Sequence, residues 1–195
     1  MFAKNHFYIL IILLISVFPA TAQLETIPTP PFSPSKSQKG VGISTDVLAL
    51  ALPVATLTFT LCEKDWKGLI QGVETAAVTA GATLLLKYTI KEWRPDMSNR
   101  HSFPSGHAAV TFATASYLQR RYGWKWGVPA YALATYVGWG RCFAKKHHWY
   151  DVVAGAAIGA GSAFIFTRPF ARQHDIKIAP VTDGATFGFY TSFTF

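Results

Sequence analysis

Three short clusters in this chain have residue types and spacings suited to chemistry: Lys87 with Arg94-Pro95, the run Pro104-Ser105-Gly106-His107, and Arg141 with His147 and Asp151. Together they supply three fixed cations, a turn that presents backbone N–H donors, and two imidazoles, one of them a helical turn from a carboxylate. Phosphoryl transfer leaves the protein little covalent work beyond positioning and charge neutralisation, so this inventory suits it.

Each cluster alone also has a plain structural reading. Residues 88–93 read as a continuation of the preceding helix, which would put Lys87 and Arg94 on one helical face before Pro95 discourages the helix at Arg94. Long cationic side chains so placed would suit a solvated or interfacial face. Ser105 precedes an apolar run and is placed to cap it, and a helix N-terminus with a nearby glycine can hold an anion. In the third cluster His147 and His148 stand four and three residues before Asp151, so either imidazole could meet the carboxylate from the same helix face. Such a carboxylate would fix the ring tautomer and leave the other nitrogen free as nucleophile or base.

In this order and spacing the clusters resemble the signature of the type 2 phosphatidic acid phosphatase (PAP2) superfamily, which includes membrane lipid phosphatases, bacterial class A acid phosphatases and vanadium haloperoxidases. The resemblance spans residues 87 to 151. It implies that His147, rather than His148, attacks phosphorus to form a phosphohistidine. Asp151 would orient and polarise that ring, and His107 would protonate the leaving oxygen. Lys87, Arg94, Ser105, Gly106 and Arg141 would hold the phosphate oxygens. The resemblance implies neither a metal nor a cofactor. One position departs from the pattern: Gly140 stands directly before Arg141, where the family usually has serine.

These residues need elements to hold them. The chain has 195 residues, 50% hydrophobic and 14% charged, enough for a substantial core in one domain. Nearly uncharged runs predict five helices at 47–62, 68–86, 106–118, 126–140 and 152–167, an all-α bundle whose helices cross a membrane. Several runs end in cluster residues, consistent with spans that continue past charged positions facing an internal polar cavity. Glu74, inside the second run, would be either a carboxylate bonded between helices or a partner of a catalytic cation. Only Cys62 and Cys142 are present, too few for a disulfide framework.

The ends read differently. Lys4, the apolar run 7–18 and Ala20-Thr21-Ala22 form a signal-peptide pattern with cleavage after residue 22. Residues 23–43, crowded with Pro, Ser and Thr, read as an extended leader before the helical domain at 44–175. The tail at 176–195 alternates apolar and polar residues around Asp183-Gly184 and predicts a short β-hairpin. With the mature N-terminus outside and five crossings, all three clusters fall on the outer side. Arg120, Arg121, Lys125, Arg168 and Arg172 then fall inside, as the positive-inside tendency asks.

The net charge of +8 invites a nucleic-acid partner, yet no basic helix stripe with interleaved aromatics and no nucleic-acid motif is present. The expectation is a metal-independent phosphatase of the inner membrane with its site facing the periplasm. Its substrate would be a lipid phosphate or diphosphate: lipid A phosphate, undecaprenyl diphosphate, phosphatidylglycerol phosphate or phosphatidate. Membrane lipids are its other partners, and the sequence leaves oligomeric state open. The alternatives are a soluble periplasmic acid phosphatase, a vanadate-dependent haloperoxidase, or a non-catalytic lipid-phosphate binding or transport protein.

Overall fold

A computed structural model of the protein describes residues 32–170, 176–182 and 187–193. The signal segment expected at 1–22 and the Asp183-Gly184 turn lie outside the described residues. Among the described residues five helices carry the fold: α1 (Lys36–Cys62), α2 (Trp66–Thr89), α3 (Gly106–Tyr122), α4 (Trp124–Phe143) and α5 (Trp149–Phe166).

Of the leader expected over 23–43, residues 23–31 lie outside the described residues, and from Lys36 onward the chain is helical instead, as the start of α1. Ser35 and Gln38 form a capping box: the Gln38 N–H donates to Ser35 Oγ (3.2 Å) and the Ser35 N–H to Gln38 Oε1 (2.9 Å). This reciprocal pair satisfies donors that the first turn leaves free. Its Ser-x-x-Gln signature is present at 35–38 but is masked by the prolines just before it. Gln38 Nε2 then donates to the Phe143 carbonyl (3.1 Å), tying the start of α1 to the end of α4.

The second helix also departs from expectation. α2 stops at Thr89 with Ile90 extended at its C-cap, so Lys87 and Arg94 do not share a helical face. Residues 90–105 instead form an ordered connection. Glu92 bridges His101, the Ser102 N–H donates to the Glu92 carbonyl (3.0 Å), and the Arg94 N–H to the Asn99 carbonyl (3.1 Å).

α3 is the central helix and touches each of the other four. That position explains its composition: its buried face is built from Ala108, Ala109, Thr111, Ala113, Ala115 and Ser116, small residues that let neighbours approach. The closest approach is from α5. A Cβ on Gly155 would lie 2.4 Å from the Ser105 carbonyl oxygen, and one on Gly159 would lie 2.1 Å from that of Ala109. Glycine at these two positions is what allows α5 to lie directly on the backbone of α3.

α1, α2 and α5 are long and apolar enough to cross a membrane. α1 and α2 turn large apolar side chains outward, among them Val47, Leu50, Val54, Ile70, Val73 and Leu85, with Leu50 73% exposed. An apolar exterior over a core of small and hydroxylated residues reverses the soluble pattern. α3 falls short in length and hydropathy, with 17 residues, many of them small or hydroxylated, and Arg120 and Arg121 in its last turn. α4 is rich in Trp, Tyr and Gly, which count little toward hydropathy even though Trp124, Val128 and Trp139 face outward.

At the end of the bundle away from the clusters, Arg121 closes a buried knot. Its Nε and Nη2 donate to the two carboxylate oxygens of Asp65 (2.6 and 2.5 Å), and Nη1 to the carbonyls of Arg168 and Pro169. One guanidinium thus joins the α1–α2 turn, α3 and the segment after α5. Glu74 lies exposed on α2, roughly 20 Å along the helix from Lys87 at 1.5 Å per residue. Neither role considered for it is met.

Candidate active site

Alternation of the helices brings the start of α1, the end of α2, the start of α3, the end of α4 and the start of α5 to one end of the bundle. There the clusters meet. Lys87, in the last turn of α2, donates from Nζ to the carbonyls of His101 and Pro104 (both 2.9 Å). The ammonium thereby fixes the connection that leads into α3, and one of its three N–H groups is left for another acceptor.

Ser105 caps α3. Its side chain is fully buried and accepts from the Ala108 N–H (3.5 Å), while its own N–H donates to the Asp151 carbonyl (3.0 Å). The hydroxyl proposed for phosphate therefore faces its own helix. What the cap exposes is the first turn of α3 at Gly106 and His107, with the dipole favouring an anion. From that turn His107 points its Nε2 at Asp46 Oδ1, 2.8 Å away.

Asp151 sits at the third position of α5, completely buried. Its Oδ2 accepts from the Ser102 hydroxyl (2.5 Å) and the His148 N–H (2.8 Å). The expectation that a helix would carry both histidines with it is corrected: α5 begins at Trp149, His148 is its N-cap, and His147 precedes it. Even so, both rings reach the carboxylate. His147 Nδ1 is 3.5 Å from Asp151 Oδ2 and His148 Nδ1 is 3.6 Å from it. The His147 contact is an ion-pair distance, without the alignment of a hydrogen bond.

Distance does not separate the two histidines, but environment does. His147 is buried, with only 3% of its surface exposed. Burial lowers its pKa below the ordinary imidazole value, the contact with Asp151 opposes that shift, and the charges of Arg94 and Arg141 add to it. The net direction is downward, so the ring is neutral near pH 7 with Nε2 available. His148 is partly exposed and stacks on Tyr150, whose hydroxyl donates to Glu92.

The remaining cations converge from separate elements. Arg94 comes from the 90–105 connection and Arg141 from the last turn of α4, where it is buried. The Nε–H of each guanidinium is buried without a hydrogen-bond partner. Lys146, in the α4–α5 connection, pairs with Asp96 (2.8 Å) and so ties the first cluster to the third.

Several residues here escaped sequence reasoning. Asp46 and Thr45, on α1, both contact Arg141: Nη1 lies 2.6 Å from Asp46 Oδ1 and 3.4 Å from Thr45 Oγ1. Ser102 and Glu92 come from the connection before α3. Asp46, as the sole acidic residue in a long apolar run, was a signal that could have been read. Thr45 explains the departure at Gly140, because a Cβ there would lie 2.5 Å from Thr45 Cγ2 and 3.0 Å from Val41 Cγ1. A serine does not fit beside this threonine, and the threonine brings its own hydroxyl to Arg141.

Among the described residues, Glu92, His148 and Asp151 each bring a potential metal-ligand atom within 4.8 Å of the others. Glu92 arrives in this group from a distant loop. The carboxylate oxygens involved already serve Tyr150, Ser102 and the His148 N–H, so the trio acts as a hydrogen-bonded brace for the start of α5.

Comparison with known proteins bears on what this geometry does. The family model described as the PAP2 superfamily matches residues 19–175. The chain is 32% identical over 133 residues to a lipid A 4'-phosphatase of Helicobacter pylori, covering 63% of this chain and 67% of that protein. It is 34% identical over 100 residues to a lipid A 1-phosphatase of Porphyromonas gingivalis, covering 49% of this chain but 22% of that longer protein. In fold it is similar to the first transmembrane PAP2 type phosphatidylglycerolphosphate phosphatase from Bacillus subtilis. The TM-score there is 0.59 at 20% identity, over 84% of this chain and 93% of that one. It is also similar to Aquifex aeolicus LpxE, with a TM-score of 0.58 at 20% identity, over 66% and 84% of the two chains.

Proposed function

Because this chain belongs to the PAP2 superfamily, we propose that its cluster of cations and histidines hydrolyses the phosphate of a membrane lipid through a phosphohistidine. The observation that carries the reading is the pair of buried, unpartnered guanidinium N–H groups of Arg94 and Arg141 beside the buried His147. Buried donors left unsatisfied are costly, and a phosphate satisfies several at once.

In this reading His147 Nε2 attacks phosphorus in line with the departing oxygen while Asp151 supports the charge that develops on the ring. The P–O bond to the lipid breaks, and His107 passes a proton to the leaving oxygen. Arg94, Arg141, the free N–H of Lys87 and the first turn of α3 hold the equatorial oxygens. Water then attacks the phosphohistidine, gives its proton to His107 and releases inorganic phosphate. Ser105 acts through the backbone it caps. No step calls on a metal.

The substrate is a lipid phosphate or diphosphate at the outer face of the inner membrane. A lipid A phosphate leads the candidates because both lipid A phosphatases noted above are relatives in sequence. Undecaprenyl diphosphate, phosphatidylglycerol phosphate and phosphatidate share the same headgroup chemistry. The membrane reading draws support from two belts of exposed tryptophan, Trp66, Trp124 and Trp126 at one end of the bundle and Trp93, Trp139 and Trp149 at the other. Residues 1–22 act as a signal peptide and 36–170 form the catalytic domain. For the tail, the segments Ile176–Thr182 and Phe187–Phe193 would pair as an antiparallel hairpin with Ile176 opposite Phe193.

The test is phosphate release from a panel of these four lipids by the full chain in detergent. Wild type should release phosphate from at least one and His147→Ala from none. Wild-type release by the variant would refute the assignment.

A further inference from the structure

The position of Asp46 points to a residue that no motif assigns to the reaction. One carboxylate oxygen, Oδ1, lies 2.6 Å from Arg141 Nη1 and 2.8 Å from His107 Nε2. In the mechanism above, which this inference rests on, those two groups hold a phosphate oxygen and protonate the leaving oxygen. The Asp46 carboxylate therefore stands in the place of substrate oxygen. We propose that Asp46 is an internal competitor of phosphate, which occupies the anion pocket between turnovers and is displaced when the substrate binds.

Three observations support displacement over permanent bracing. The charges are alike: a carboxylate and a phosphate oxygen cannot share the same N–H groups at hydrogen-bond distance without strong repulsion. Exposure is graded, since the Asp46 side chain is 57% exposed while that of Arg141 is 6% exposed, so the acid sits at the mouth and the cation beneath it. The anchor below is separate. Thr45, fully buried on the same turn of α1, also reaches Arg141 and bonds to the Gly42 carbonyl (2.8 Å), so the helix keeps its register when the carboxylate swings away.

The consequence is a phosphate affinity set partly by the protein's own acid. When the binding-competent state is only a fraction of the population, the apparent dissociation constant rises by the inverse of that fraction. A pocket filled by Asp46 nine-tenths of the time would weaken phosphate binding about tenfold. Substrate, product and any free oxyanion would be weakened together, and return of the carboxylate would help expel inorganic phosphate after each turnover.

The experiment is inhibition of lipid-phosphate hydrolysis by inorganic phosphate and by orthovanadate, with full-length wild type, Asp46→Asn and Asp46→Ala in detergent. Both variants should show inhibition constants about tenfold lower than wild type for both anions, with KM lowered in parallel. Unchanged or raised inhibition constants would overturn the proposal. A fall in kcat alone, with inhibition unchanged, would also overturn it and make Asp46 a positioning residue for His107. Should both variants fail to fold, the vanadate complex of the wild-type protein decides: Asp46 must have left Arg141, and a carboxylate still bonded there refutes the idea. Failure of the underlying reading looks different, since wild type would then release no phosphate from any lipid and neither anion would bind.

Discussion

In the proposed mechanism His147 is the residue on which the chemistry turns, and its surroundings would set the acid limit of activity. Burial holds its pKa below 6.5, assisted by Arg94 and Arg141 and opposed by Asp151. Attack needs the neutral ring, so activity survives as pH falls below the ordinary histidine range and is lost only through the lowered pKa. The acid limb of kcat/KM should accordingly lie below pH 6.5. In Asp151→Asn the opposing charge is gone, so the limb should move further acidic while the rate drops by about 10²-fold or more. A limb at or above the ordinary value, or one displaced toward neutral pH by Asp151→Asn, would contradict this electrostatic account. The motif residues were legible in the sequence because they lie within short segments of the chain. Ser102 and Glu92 were not, since each acquires its meaning only from a partner brought in by folding, and Asp46 was legible only as a lone acid in an apolar run, without its partners Arg141 and His107.

At the scale of elements, the site depends on how closely α5 lies on α3. Asp151 receives Ser102 and faces His147 only because Gly155 and Gly159 let α5 rest against carbonyls of the neighbouring backbone. Gly159→Ala is a direct measure of that dependence. Alanine favours the helix by about 1 kcal/mol, but its Cβ would lie 2.1 Å from the Ala109 oxygen, and overpacking costs about 1–3 kcal/mol. The variant should melt at lower temperature and lose activity in parallel, whereas an equal or higher melting temperature would show that the contact is slack. The five helices themselves were legible as apolar runs. Their ends were less so, for definite reasons: a capping box hidden behind prolines extends α1 back to Lys36, and Pro95 with the Glu92–His101 bridge takes Arg94 off α2. The Gly155 and Gly159 pair, four residues apart in α5, was visible but carries meaning only once the partner helix is known.

Taken whole, the molecule has two dissimilar ends. One gathers the cations and histidines of the candidate site, and the other is locked by Arg121 and Asp65 and bears the exposed Cys62. The proposed orientation puts the site outside and Cys62 inside. In a Cys142→Ser background, a membrane-impermeant thiol reagent should therefore leave Cys62 unmodified on intact spheroplasts and modify it once the membrane is permeabilised. Modification of intact spheroplasts would reverse the topology. The first helix adds something the motifs alone do not contain. Thr45 fills the space that a side chain at position 140 would occupy, and it delivers a hydroxyl to the same arginine. The two positions are thus alternative addresses for one functional group, and they are mutually exclusive. With glycine at position 140, this chain has made its first helix a part of the site, and the arginine in the last turn of α4 answers to two helices rather than one.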